Sequence, residues 1–291
     1  MNAIETINLY KYYGKARGIV DVSLSVDEGD FFGFIGPNGV GKSTLIRTLL
    51  GLIKPSDGSA KVLGLDIEND NTEILKNVGY LPSEAIFYSN MTVRELVAYS
   101  SRLRKLDCRE EAEQIMERLE LDPTKKIRQL SLGNRKKVGI VCALQHKPKL
   151  YILDEPTSGL DPLIQIKFFE LLHERNKEGA TVFLSSHILS EIGHHCKHAG
   201  VIKEGKLLFC DSIDKFAHTG SKQVVLKGVR SMDGLNNAAN LKVDGDTVSF
   251  VYSDGTKSLM EMLSKLGFDD LNINDPDIEE LFMNYYRKEK N

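Results

Sequence analysis

The stretch Gly36-Pro37-Asn38-Gly39-Val40-Gly41-Lys42-Ser43-Thr44 contains the spacing G-x-x-x-x-G-K-[ST]. Glycines at these positions let successive backbone N–H groups turn toward phosphate oxygens, and a helix opening at the end of the turn adds its positive dipole. Lys42 is spaced to reach the β- and γ-phosphates of a nucleotide, and the Ser43 hydroxyl to bind Mg²⁺. A second chemical feature is the apolar run Leu150-Tyr151-Ile152-Leu153, which ends in two acids, Asp154 and Glu155. A carboxylate at a buried strand end is costly unless it meets a cation, so Asp154 suits the ordering of a Mg²⁺ water shell. Glu155 beside it could polarise an attacking water as general base.

Three further stretches complete an ordered set: Leu130-Ser131-Leu132-Gly133-Asn134, Ser158-Gly159-Leu160-Asp161 and Ser185-Ser186-His187. In this set the chain resembles the nucleotide-binding subunit of ABC transporters over about residues 2–215, with Leu130–Asn134 at the family's signature motif. The resemblance implies ATP and Mg²⁺ as cofactors, with Gly36–Thr44 on the phosphates. It implies that Tyr13 stacks on adenine and that Ser131 and Gly133 touch the γ-phosphate of ATP held by an opposite subunit. By the same resemblance Asp161 lies in the loop linking two such sites, and His187 is the switch histidine that contacts the γ-phosphate.

Two departures from the family pattern stand out. Ser83 occupies the usual place of a glutamine that touches metal or water, and an offset of one residue would put Glu84 there instead. Leu132 and Asn134 replace a glycine and a glutamine of the signature, while Ser131 and Gly133 are kept. The implied partners are a second ATPase subunit, in a homodimer closed by ATP, and a separate membrane permease subunit. The permease is expected to dock near Ser83–Tyr88 and the following helix, where Ile86, Phe87 and Tyr88 form an apolar contact run. The tail around Asp275–Tyr286 resembles that of ATPase subunits of bacterial exporters for drugs or antimicrobial peptides. The rival reading is an ABC ATPase serving macromolecular assembly. Translation factors of that kind would need two copies of the motifs, and repair ATPases a long coiled coil between them.

The elements that must position these residues follow from local pattern. Asp30–Ile35 reads as a buried strand, followed by the glycine-rich turn and a helix over Ser43–Leu50 that Gly51 and Pro55 stop. Lys149–Asp154 and Thr181–Ser185 read as further buried strands, and Asp161 caps a helix Leu163–Asn176 with Pro162 at its first position. This order implies an α/β fold: the P-loop NTPase core of an ABC ATPase, with a mostly parallel sheet. About residues 84–145 read as an inserted helical subdomain, in which Thr92–Glu95 is a capping box. Residues 1–215 are expected to form the ATPase domain and 222–291 a small C-terminal α+β domain, with Ala217–Ser221 between them. In the tail, strands are expected at Gln223–Lys227 and Thr247–Tyr252 around the turn Asp244-Gly245-Asp246, then helices at Lys257–Leu266 and Asp277–Arg287.

Composition narrows the classes. The 291 residues suffice for about two domains. A net charge of −3, balanced along the chain, gives no basic module for phosphate-backbone binding, so nucleic acid is not expected as a partner. No uncharged apolar stretch approaches the ~20 residues of a membrane-spanning helix, and the N-terminus lacks a secretory pattern. Cys108, Cys142, Cys196 and Cys210 show no paired spacing and read as free thiols, consistent with the cytoplasmic face of a membrane. His194, His195, Cys196 and His198 lack the further ligands a zinc site needs. Arg135-Lys136-Lys137 reads as a solvated helix face.

Overall fold

Five consecutive buried residues, Phe31–Ile35, form β3 inside a six-stranded sheet. Its order is β10 (Lys206–Ser212), β9 (His198–Lys203), β3, β8 (Thr181–Ser186), β7 (Leu150–Asp154) and β6 (Val78–Leu81). β9, β3, β8, β7 and β6 run parallel, and β3, β7 and β8 are buried along their whole length, as a sheet covered on both faces requires. The register matters most for function. Ile35 lies opposite Ser186, Ser185 opposite Asp154, and Leu153 opposite Leu81. Four strands therefore finish along one edge, and the residues that follow them emerge side by side.

A second, antiparallel sheet has the order β2 (Ala16–Asp27), β1 (Asn2–Tyr13), β4 (Asp57–Val62) and β5 (Leu65–Asp66). Its inward side chains Ile4, Leu9 and Val26 share one core with Phe32, Phe34, Ile152 and Phe183 of the parallel sheet. Between the two lies α1 (Lys42–Leu49), whose Leu45, Ile46 and Leu49 are fully buried. Each such side chain contributes about 1.5–3 kcal/mol of burial. Phe32 and Phe183 stack with centroids 5.7 Å apart.

α2 (Asn71–Asn77) precedes β6, and three helices stand between β6 and β7: α3 (Val93–Leu103), α4 (Arg109–Arg118) and α5 (Leu132–Leu144). α3 opens on the capping box expected there: the Thr92 hydroxyl accepts from the Glu95 amide, and the Glu95 carboxylate accepts from the Thr92 amide. α6 (Pro162–Lys177) and α7 (Leu189–His195) flank β8 in sequence.

The structure describes residues 1–14, 16–213, 215, 222–229 and 238–274 of this computed structural model. The chain divides into two compact units at Cys210/Asp211. In the second, an antiparallel sheet has the order β12 (Ala239–Asp244), β13 (Thr247–Tyr252), β11 (Lys222–Lys227) and β14 (Asp270–Asn274). α8 (Thr256–Leu263) adds Leu259 and Leu263 to a core with Val224, Leu226 and Phe250. The turn Asp244–Asp246 joins β12 to β13 rather than β11 to β13. β12 alternates Ala239, Leu241 and Val243 with polar residues, yet it is almost wholly exposed. The expected Ala217–Ser221 linker and Asp277–Arg287 helix lie outside the described residues.

Candidate active site

The turn after β3 builds the first part of the site. Gly39 and Gly41 hold φ of 80° and 115°, positive values that glycine adopts at far lower cost than residues with a side chain. A Cβ at Gly41 would also come 2.4 Å from the carbonyl oxygen of Gly18. The backbone thus enters α1 through Gly41 with no acidic side chain in the first helical turn, leaving the positive end of the dipole uncompensated. Gly36 is buried, Pro37, Asn38 and Gly39 are exposed, and Val40, Ser43 and Thr44 are half-buried around the turn. Lys42 is buried. Its Nζ donates to the carbonyls of Gly36 at 2.6 Å and Pro37 at 3.0 Å, curling over the turn it follows.

The adjacent strand ends supply the acids. Asp154 is 0% exposed, and its Oδ1 accepts from the Ser185 hydroxyl at 2.6 Å. Its Oδ2 is buried with no hydrogen-bond partner. A lone buried carboxylate oxygen carries a heavy desolvation cost, and the water shell of a divalent cation would relieve it, so Asp154 fits Mg²⁺. Glu155 follows at φ 49°, a strained conformation for a side-chain-bearing residue that turns its carboxylate out of the strand. Its amide donates to the Ser185 carbonyl at 3.1 Å.

Two basic side chains grip the Glu155 carboxylate. His187 Nδ1 lies 2.7 Å from Oε2, and because a carboxylate only accepts, Nδ1 carries the proton of that bond. Lys42 Nζ lies 3.0 Å from Oε1, an ion pair whose protons are aligned on the two carbonyls instead. Lys42, Asp154, Glu155 and His187 thus meet at the edge that the strand register defines. Ser185, which orients Asp154, was quoted from the sequence only as part of a motif and given no role, and Gly18, which admits Gly41, was not singled out. Ser185 had a local signal, its place two residues before His187.

Tyr13 sits half-exposed at the end of β1, with Lys11 Nζ 5.5 Å from its ring centroid. Gly18 brings this hairpin close to the turn: a Cβ there would meet Thr44 Cγ2 at 2.8 Å and Tyr13 Cε2 at 3.1 Å. Ser131 caps α5, accepting from the Asn134 amide at 3.2 Å. Asp161 likewise caps α6 through the Ile164 amide at 3.1 Å. A Cβ at Gly133 would come 2.5 Å from the Gly159 carbonyl, so the signature lies directly on the Ser158–Asp161 loop. No hydrogen bond joins Ser131 or Gly133 to Gly36–Thr44 among the described residues.

Ser83 lies half-buried in the loop after β6, and no side-chain hydrogen bond links it to Asp154, Glu155 or Ser43 among the described residues. Glu84 is exposed. The expected solvated face at Arg135-Lys136-Lys137 is corrected: Lys136 and Lys137 are buried. Lys136 points inward because the carbonyls of Pro82 and Ser83 accept its ammonium protons, at 3.2 and 2.9 Å. Burial pushes this amine down to about 8, against the attraction of Asp154, Glu155 and Glu84. Of the histidines near α7, His194 bonds the Ser190 carbonyl, His195 bonds His173, and His198 bonds Asp30. Ile86 and Tyr88 are exposed rather than core, at 96% and 62%.

Comparison with known proteins places this geometry in context. The family description "ABC transporter" matches residues 19–158. The bacitracin transport ATP-binding protein BcrA of Bacillus licheniformis is 40% identical over 70% of this chain and 68% of its own length. The linearmycin resistance ATP-binding protein LnrL of Bacillus subtilis is 28% identical over 97% of each chain. A solved dimeric bacterial ABC transporter cassette is 25% identical with a TM-score of 0.67, covering 72% of this chain and 98% of its own.

Proposed function

The chain belongs to the ABC transporter family as an ATP-binding, ATP-hydrolysing subunit, and from that premise we propose how its residues divide the work. The observation that carries the proposal is the Glu155 carboxylate held between Lys42 and His187 at one sheet edge, beside the buried Asp154. Backbone amides of Gly36–Thr44 and the α1 dipole receive the phosphates, and Tyr13 stacks on the base. An arriving γ-phosphate competes for Lys42, which exchanges its Glu155 contact for phosphate oxygens. Glu155, kept oriented by His187 through Oε2, then accepts the proton of the attacking water. Ser43 and Asp154 are the residues that would hold Mg²⁺, which would supply positive charge to neutralise phosphate oxygens.

Ser131 and Gly133 act in trans. Within one copy they are engaged with α5 and Gly159, not with the phosphate turn. Leu132 within the signature, at 63% exposure, and Leu163 near Asp161, at 56%, supply apolar side chains for a second copy to cover. ATP then binds two copies together, and hydrolysis releases them.

Among the described residues no helix is long and apolar enough to cross a membrane, so transport calls for a separate membrane subunit. The exposed Ile86 and Tyr88 support docking there, next to a groove of about 1050 Å³ lined by Tyr88, Arg94, Tyr99 and Arg102. Such a complex works at the cytoplasmic face. The names of the relatives support export of a drug or antimicrobial peptide as its task.

The test of the chemistry is Glu155→Gln, whose amide keeps the shape but cannot take a proton. ATP binding should persist while turnover falls about 10²–10⁴-fold. Turnover at the wild-type rate would remove Glu155 from its role. Co-purification with a membrane partner, and ATPase stimulation by cargo in that complex, tests the exporter reading.

A further inference from the structure

A buried ammonium is an expensive way to fill space, because desolvation penalises the charge and an aliphatic side chain would pack as well. Lys136 nevertheless sits on the second turn of α5 at 5% exposure, with no ion pair among the described residues. Its partners are two consecutive main-chain carbonyls, of Pro82 and Ser83, the residues directly after β6. Only a side chain with several donors can serve two such acceptors at once. The helix and the strand also touch just below this point: a Cβ at Gly139, one turn further along α5, would come 2.7 Å from Leu81 Cδ1. The same loop continues into the exposed Ile86 and Tyr88, and the same helix begins at Ser131.

We propose that Lys136 is a positioning residue for ATP hydrolysis, tying the loop after β6 to the signature helix so that the two move together. The inference rests on the ATPase reading above. A push on the loop at Ile86–Tyr88 is then passed through the Pro82 and Ser83 carbonyls to α5 and to Ser131 at its start. Because the tie runs through main-chain oxygens, it works with the short Ser83 side chain and does not need that side chain in the metal shell.

The experiment compares Lys136→Met, which keeps length and removes the donors, with Lys136→Gln, which restores two neutral donors. In the full chain, kcat, KM, monomer affinity for a fluorescent ATP analogue and melting temperature are measured for both. Misplacing a catalytic element by ~1 Å can cost ~10²-fold, and a loop that keeps its covalent ends should lose about tenfold. The Met variant should therefore lose about tenfold in kcat with nucleotide affinity within about twofold of wild type, while the Gln variant recovers most of that loss. A Met variant with wild-type kcat overturns the proposal. Equal impairment of the two variants also overturns it, as does a failure of both to fold, which would make Lys136 a stability residue. Glu155→Gln run alongside separates the two readings: if it also keeps full turnover, the ATPase assignment of the site fails rather than the tie alone.

Discussion

Glu155 is the residue on which the proposed chemistry turns, and its surroundings show why sequence spacing found some partners and not others. Lys42 and the Asp154-Glu155 pair are fixed by local constraints, a glycine-framed turn and a strand end, so their spacing is legible in the sequence. Lys136 was misread because the carbonyls it meets are 53 and 54 residues away, and a run of three basic residues looks like a solvated face until those acceptors are known. Ser83 illustrates the reverse case, a position flagged by resemblance whose side chain makes no bond to the acids. Its contribution in the structure is its carbonyl, which any residue supplies. Ser83→Ala should therefore lower the ATPase rate less than tenfold, whereas loss of one oriented catalytic hydrogen bond costs about 10²–10³. A drop of that larger size in steady-state assays would put the Ser83 hydroxyl in direct contact with the reacting groups. If Glu84→Ala is the severe variant instead, the loop's role belongs to Glu84.

At the scale of elements, buried parallel strands, capped helices and the strands β11 and β13 were readable, and the antiparallel sheet of β1, β2, β4 and β5 was not read. β3, β7 and β8 announce themselves as short apolar runs. β1 pairs with β2 through several register shifts, which break its own alternation. Val22, Leu24 and Val26 of β2, by contrast, alternate with polar residues and carry a strand signal that the sequence reading did not use. One element junction makes a pH prediction. His146, just after α5, bonds the Val78 carbonyl at the start of β6 through Nε2, while its Nδ1 is buried without a partner. Burial pushes this imidazole down to about 4 from its ordinary value near 6.5. The folded chain thus holds it neutral while the unfolded chain takes up the proton. Its share of stability is complete above about pH 6.5 and drains away as the pH falls toward 4, by at most about 1.4 kcal/mol per pH unit. His146→Gln keeps a donor for Val78 and removes the titration. Urea melts of the variant should show a shallower loss of stability between pH 6.5 and 4 than wild type, and identical slopes would contradict the assignment.

For the whole molecule, the sequence motifs carried the family and the shared strand edge explains how they converge, but the proposed site is larger than one chain. Ser131 is spent on capping its own helix, Gly133 lies against Gly159, and neither reaches the turn that Lys42 closes. The second compact unit has its own sheet and core, and the work assigned to the site uses none of its described residues. The account therefore stands on nucleotide-driven pairing of two copies. Sedimentation velocity of Glu155→Gln with and without Mg-ATP, compared with the same variant carrying Ser131→Arg, measures this directly. The single variant should sediment as a monomer alone and as a dimer with Mg-ATP, and the double variant should stay monomeric while binding ATP as tightly. A single variant that remains monomeric at saturating ATP, or a double variant that dimerises equally well, would contradict it.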